Sequence, residues 1–148
     1  MKILVVEDNP EHMKAAVVAI QAVGHEAVQA TNLLEGDRRL IGYGIAGVIT
    51  DLFIPDGVVG ATVDEADQPR GLGIMLRARR EGIPCIICTE GYHHGSKYNW
   101  ICSLGRDFGW PEIVDSIASD GDDNEAESQS KNWQEALDTL LEMIDSNK

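Results

Sequence analysis

An α/β fold, in which helices cover both faces of a parallel sheet, is predicted by three features of this 148-residue chain. Short runs of β-branched and apolar residues alternate with longer segments whose apolar residues recur at helical spacing. The first run is apolar almost throughout, which is typical of a strand buried on both faces. Turn-forming residues separate the segments. Alternating strands and helices favour parallel strands joined by right-handed crossover helices.

Three strands and two helices are predicted in the first third of the chain. Asn9 and Pro10 suit the cap and the first turn of a helix, and Gly24 suits the left-handed residue that ends it. The second helix is expected to be weak because it is rich in glycine. The elements are, in order, strand 2–7, helix 11–23, strand 25–31, helix 32–44 and strand 45–50.

The rest of the chain combines clear elements with two acidic segments. Residues 55–70 form a predicted loop insertion, and loops of this length are often functional. Residues 118–130 are acidic and poor in apolar residues, so we predict a flexible segment there. The remaining elements are helix 70–82, strand 83–90, a short helix 97–104, a weak fifth strand 106–110 and a final helix 131–148.

The composition of the chain argues against two classes of protein, those that bind nucleic acid and those that span a membrane. The net charge of −13 argues against binding to nucleic acid, because a phosphate backbone attracts the opposite balance. No apolar run approaches the ~20 residues of a membrane span, and the N-terminus lacks the features of a signal peptide. We therefore predict one cytoplasmic domain. Cys85 and Cys88 are three residues apart on a predicted strand, so their side chains should point to opposite faces as reduced core residues rather than bind zinc together.

Acidic side chains lie at the ends of two of the predicted strands, and a hydroxyl lies at the end of another strand. Glu7 and Asp8 end the first strand, Asp51 follows the third, and Thr89 lies at the end of the fourth. The carboxyl ends of parallel strands meet at one edge, where such sheets bind ligands. Oxygen ligands without His or Cys suit Mg²⁺. A carboxylate there can also attack phosphorus. The alternatives are that Asp51 caps a backbone amide and that Glu7 and Asp8, taken by themselves, are solvated loop acids.

The ordered set of these motifs resembles the receiver domain of two-component response regulators. The matching stretches are VVEDNP, GHEAVQA, TDLFIP, GLGIMLRARREGIP and CIICTE, and the resemblance extends from Met1 to Glu90. It implies a flavodoxin-like doubly wound fold with five parallel strands in the order 2-1-3-4-5. The chain would then be a single receiver-like domain, with the final helix in the place of the family's last helix.

The resemblance also implies roles for particular residues. Asp51 would be the phosphoacceptor, and Thr89 would be the hydroxyl that takes part in phosphoryl transfer and in switching. Phe108 would be the switch aromatic on strand five. The ligands of Mg²⁺ would be Asp8, Glu7, Asp51 and the backbone carbonyl of Phe53.

One departure from the family concerns a lysine. The family usually has Lys-Pro after strand five, with the lysine paired to the acceptor or its phosphoryl group. Here Trp110-Pro111 is the nearest match, and tryptophan cannot supply a charge. Without that cation, added phosphoryl charge would cost more beside three acids.

We therefore predict a stand-alone receiver in a phosphorelay. It would accept a phosphoryl group from a histidine kinase or phosphotransfer protein, hydrolyse it slowly, and signal to a downstream protein target. Catalysis of its own phosphorylation and dephosphorylation would be its only enzymatic activity. The departure at Trp110 favours an alternative, a pseudo-receiver that acts as a phosphorylation-independent interaction module. A third class, an unrelated flavodoxin-like enzyme or binder, lacks support from any nucleotide-binding loop. The sequence leaves a homodimer open.

Overall fold

Five strands and five helices alternate along the chain in a computed structural model, which describes residues 1–58, 68–90, 99–108, 113–115 and 131–146. All strand pairings are parallel, and the strand order is β2-β1-β3-β4-β5. The predicted fold class and strand order are therefore confirmed. The elements are β1 (Lys2–Val6), α1 (Pro10–Ala22), β2 (Glu26–Ala30), α2 (Leu33–Gly42), β3 (Ile45–Thr50), α3 (Gly71–Arg80), β4 (Cys85–Thr89), α4 (Asn99–Phe108), β5 (Ile113–Asp115) and α5 (Trp133–Ser146).

Two apolar clusters lie on the two faces of the sheet. Helices α1 and α5 pack on one face, where Ile20 and Leu140 are buried against Ile49 of β3. Helices α2, α3 and α4 pack on the other face, where Ile74 and Val48 belong to the second cluster. The central strands are buried on both sides, as their continuous apolar sequences predict.

The cysteines of β4 follow the strand alternation. Cys88 belongs to the cluster beneath α1 and α5, and Cys85 belongs to the cluster beneath α2 and α3. Both are buried and outside any disulfide, and the prediction that they face opposite sides of the sheet is confirmed.

Side-chain caps define where several helices begin. The Asn9 side chain accepts hydrogen bonds from the N–H groups of Glu11 and His12 at the start of α1. Asn32 accepts one from Glu35 N–H at 2.9 Å in α2. Asn132 accepts one from Glu135 N–H at 3.2 Å, so α5 begins after this residue rather than at 131.

The predicted fifth strand at 106–110 is wrong. Helix α4 continues to Phe108, and β5 is formed by Ile113–Asp115 beside β4. Ile101, Leu104 and Phe108 recur at helical spacing, which keeps this stretch helical beyond 104. The strand instead uses the β-branched pair Ile113 and Val114.

Parts of the two predicted acidic segments lie outside the described residues. Positions 59–67 of the 55–70 loop are outside them, and so is all of 118–130. The described ends of the loop, Pro55–Val58 and Gln68–Arg70, contain neither helix nor strand. Among the residues that are described, no helix is long and apolar enough to cross a membrane.

Candidate functional site at the carboxyl edge of the sheet

The sheet register brings Glu7 and Asp51 to the same edge. Val6 pairs with Thr50 at the ends of β1 and β3, and Asp51 N–H donates to the Val6 carbonyl at 2.8 Å. Each acid is therefore the first residue beyond its strand, and the two strands are direct neighbours. The predicted convergence of these acids is what the parallel register produces.

Three carboxylates meet at this edge. Oxygens of Glu7, Asp8 and Asp51 all lie within 4.8 Å of one another. Glu7 and Asp51 are buried, with 1% and 8% of their surface exposed, whereas Asp8 is exposed. Like charges this close together repel, so the cluster requires positive charge nearby.

Hydrogen bonds to the backbone fix two of the carboxylates. Asp51 Oδ1 accepts the N–H of Leu52 at 2.7 Å, and Glu7 Oε1 accepts the N–H of Asn9 at 3.0 Å. Each of these acids therefore keeps its other oxygen for a different partner.

That partner is a lysine that the sequence analysis missed. Lys131 Nζ lies 3.0 Å from Asp51 Oδ2 and donates to Glu7 Oε2. Its side chain is only 2% exposed. The inference from Trp110-Pro111 that the site lacks a lysine is therefore wrong, because a cation contacts the predicted acceptor from another position in the chain.

A signal for Lys131 was present in the sequence. Lys131-Asn132 directly precedes the final helix, whose cap is Asn132. The resemblance places the lysine immediately after the fifth strand. In this chain residues 116–130 separate β5 from Lys131. Counting back from the last helix, instead of forward from the strand, would have identified it.

Burial and charge shift the pKa values of this cluster. Burial raises the pKa of Glu7 to about 7, since desolvation and the Asp51 charge outweigh the attraction of Lys131. Partial desolvation also raises the pKa of Asp8, assisted by the Asp51 charge. Although burial opposes the charge of Lys131, the carboxylates of Asp51 and Glu7 raise its pKa. The ammonium therefore stays charged at neutral pH, whereas Glu7 titrates near it.

Two further predicted residues lie near this edge, and a third does not occupy its expected place. Thr89 ends β4, next to β3, and is 1% exposed. Phe53 lies two residues after Asp51 in the loop that leaves β3 and is half-buried. Phe108 ends helix α4, so its expected position on strand five is wrong. The roles assigned to all three stay predictions.

A histidine links α1 to the end of β4 beside the site. His12 Nε2 lies 2.9 Å from Glu90 Oε1, and His12 Nδ1 lies 3.9 Å from Glu7 Oε1. Glu90 directly follows Thr89 in the sequence. The contact holds the residue after the predicted switch hydroxyl against α1, which sequence reasoning did not indicate.

The helix α3 begins in close contact with the acceptor strand. Gly71 N–H donates to the Leu52 carbonyl at 2.9 Å. A Cβ atom at position 71 would lie 1.9 Å from the Asp51 backbone oxygen, so only glycine fits. This contact places the start of α3 directly against the backbone that carries the Asp51 carboxylate.

The donor set fits a magnesium ion. The acids supply oxygen ligands only, and one of them is exposed. Three carboxylates face one ammonium, so negative charge remains in excess. A divalent cation held by Asp8, Asp51 and Glu7 would neutralise it.

Several solved structures with a similar fold are receiver domains. No protein-family model matches the sequence, and no curated protein matches it. A CheY-like response regulator receiver domain protein from Methanospirillum hungatei is similar, with a TM-score of 0.65 at 16% identity over 99% of this chain and 94% of that one. The receiver domain of Francisella response regulator 1452 has a TM-score of 0.64 at 13% identity, covering 99% and 98%. A receiver domain protein from Clostridium thermocellum has a TM-score of 0.60 at 20% identity, covering 97% and 92%. This chain therefore has the fold of the response-regulator receiver domains.

Proposed function

We propose that this protein accepts a phosphoryl group on Asp51 and signals its phosphorylation state through protein contacts. The observation that carries the proposal is the placement of Lys131 Nζ 3.0 Å from Asp51 Oδ2, inside a cluster with Glu7 and Asp8. A nucleophilic carboxylate, a fixed cation and further acids for a metal are the parts that phosphoryl transfer requires.

The residues of this chain would divide the chemistry as follows. An Asp51 oxygen attacks phosphorus as the bond from phosphorus to the donor, a phosphohistidine nitrogen, breaks and the imidazole leaves. Leu52 N–H orients the carboxylate, and Lys131 pairs with the new phosphoryl oxygens. The Thr89 hydroxyl is proposed to donate to another of them. Bound Mg²⁺ would neutralise charge on these oxygens in the transition state.

The excess of acid explains why a metal is needed. Lys131 already balances one of the charges of Glu7 and Asp51, and a phosphoryl group adds more negative charge at the same place. Asp8 and Asp51, with Glu7 and the Phe53 carbonyl, would hold the ion. After transfer, attack by water on phosphorus would regenerate the Asp51 carboxylate and release inorganic phosphate.

The partners of such a protein would be a histidine kinase or phosphotransfer protein and a downstream protein. Its stand-alone role and its cytoplasmic location also stay predictions. The pseudo-receiver alternative depended on a missing lysine, and the position of Lys131 removes that reason. A Mg²⁺-dependent phosphoryl adduct on Asp51 distinguishes the two.

Mass spectrometry of the intact protein tests the proposal. The wild type, incubated with Mg²⁺ and acetyl phosphate, should gain one phosphoryl group that is stable in acid and labile in base. EDTA and the Asp51→Asn variant should each abolish the gain. If the wild type shows no Mg²⁺-dependent adduct, the phosphoacceptor proposal fails and the pseudo-receiver alternative is favoured. An adduct that persists in Asp51→Asn would place the acceptor elsewhere.

A further inference from the structure

Arginine is distributed very unevenly in this acidic chain. The net charge is −13, yet six of the seven arginines lie within or directly before α2 and α3. Both helices cover the same face of the sheet. These arginines are Arg38, Arg39, Arg70, Arg77, Arg79 and Arg80.

Exposed apolar side chains lie among these arginines. Leu34 and Ile41 of α2 are 38% and 66% exposed, and Leu76 of α3 is 51% exposed. Positions 34, 38 and 41 share one side of α2, and positions 76, 77 and 80 share one side of α3. We call the six residues Leu34, Arg38, Ile41, Leu76, Arg77 and Arg80 the α2–α3 surface.

An ion pair joins the two halves of this surface. Arg77 Nη1 lies 3.1 Å from Asp37 Oδ2, which puts the exposed sides of α2 and α3 next to each other. Arg77 remains 50% exposed, and Arg80, which pairs with Glu81, remains 71% exposed. Arginines around apolar side chains are a composition enriched at protein–protein interfaces.

The complementary charge lies on the opposite side of the same molecule. Helix α5 carries four exposed acids and no lysine or arginine. Their spacing of three, four and three residues places them along one side of the helix. Like charges at this spacing weaken a helix, and an acid in its last turn opposes the helix dipole. The acids are Glu135, Asp138, Glu142 and Asp145.

We propose that the α2–α3 surface of one molecule binds α5 of a second molecule of this chain. The sheet separates the two surfaces within one molecule, so neither can meet its complement in the same molecule, whereas a second copy offers both. Nucleic acid is a poorer occupant, because the rest of the chain would repel it and because Leu34, Ile41 and Leu76 offer apolar contacts.

The contact would be head to tail. It joins two different surfaces, so an association of this kind need not close into a dimer and can grow with concentration. Repulsion between the net charges of two copies is screened beyond about 8 Å at physiological salt. The opposite charges of the α2–α3 surface and α5 would be in contact, so their attraction is screened less at this salt concentration. A much higher salt concentration would weaken this attraction too.

Sedimentation velocity tests this inference independently of phosphorylation. From micromolar to near-millimolar concentration at about 0.15 M salt, the wild type should show association that weakens at about 1 M salt. Arg77→Glu/Arg80→Glu should weaken it by at least about tenfold. Lys2→Glu/Lys14→Glu, which changes the net charge equally at a half-buried residue of β1 and an exposed residue of α1, should not.

A charge exchange identifies the partner surface. The variant Asp138→Lys/Glu142→Lys, measured by itself, should also associate more weakly than the wild type. Mixed with Arg77→Glu/Arg80→Glu, it should associate again, because the altered helix of one then faces the altered surface of the other. A wild type that stays monomeric throughout overturns the proposal and leaves another acidic protein as the occupant. Failure of the mixture to associate overturns the pairing with α5.

Discussion

Replacement of Lys131 by methionine should reveal how strongly one ammonium stabilises the carboxylate cluster. The substitution keeps most of the apolar stem and removes the charge that contacts Asp51 at 3.0 Å and also Glu7. Both acids are buried, at 8% and 1% exposure. The variant therefore leaves two buried carboxylates, with Asp8 beside them, without their cation.

The size of the effect depends on the protonation state of Glu7. Loss of one partner of a buried ion pair costs about 3–5 kcal/mol when the other partner stays charged. The pKa of Glu7 is already about 7, and loss of Lys131, which lowers it, raises it further. At about pH 5.5 Glu7 takes up a proton, so its share of the loss should shrink to the about 1 kcal/mol of a hydrogen bond, whereas the share that comes from the contact with Asp51 remains.

Urea unfolding in metal-free buffer measures both values. Lys131→Met should lose about 3–5 kcal/mol near pH 8.5 and less near pH 5.5, where the share that comes from Glu7 is reduced, and Mg²⁺ should stabilise the variant more than the wild type. Lys14→Met, at an exposed position of α1, is the control and should change the free energy of unfolding little at either pH. Equal losses of Lys131→Met at both pH values would refute the reasoning about Glu7.

Three further changes probe the same edge. The folded-state pKa of Glu7 exceeds its ordinary value of 4.5. Protonated Glu7 therefore stabilises the fold fully below about pH 4.5, and about 3 kcal/mol of this stabilisation is lost as the pH rises through about 7. Glu7→Gln should remove this pH dependence of the free energy of unfolding, measured with urea across that range. Gly71→Ala should destabilise the fold by about 1–3 kcal/mol and slow phosphorylation, because its Cβ would lie 1.9 Å from the Asp51 carbonyl oxygen. The Trp133 ring lies 5.7 Å from Lys131 Nζ, so beryllofluoride with Mg²⁺ should change tryptophan fluorescence in the wild type and not in Trp133→Phe.

Matched variants show what each result means. Gly73→Ala places a Cβ at an ordinary 3.5 Å from Leu33 and should be tolerated, so equal damage at both glycines would contradict the argument from close contact at Gly71. Trp100 is 49% exposed, and Trp100→Phe should keep the fluorescence response. If Glu7→Gln retained the full pH dependence, another group would be the source of it.

The sequence was sufficient for the fold and for the convergence of the acids. Continuous apolar strands such as Lys2–Val6 and Ile45–Thr50 can be buried only between two helical layers. Once the strands are parallel, Glu7 and Asp51 must share an edge, because each directly follows its strand. Local patterns and one rule of chain topology thus determine where these two carboxylates meet.

The position of the fifth strand depends on the tertiary structure. A three-residue strand, Ile113–Asp115, carries too little periodicity to be recognised from sequence, and it forms because β4 offers an unpaired edge. The stretch that looked like a strand, residues 106–110, lies partly in α4. Short elements at the edge of a sheet are stabilised by their neighbours more than by their own residues.

Lys131 shows most clearly what only the tertiary structure decided. Its sequence separation from Glu7 is 124 residues, and no local pattern connects the two. Packing of α5 against β3 and β4 carries the residue that precedes the helix cap to the end of β3, where the ammonium contacts Asp51. The sequence spacing indicated an acidic site without a cation, whereas the packing of the last helix brings Lys131 to that site. A buried carboxylate pair is stable only with a positive charge in contact with it, and the packing provides this charge.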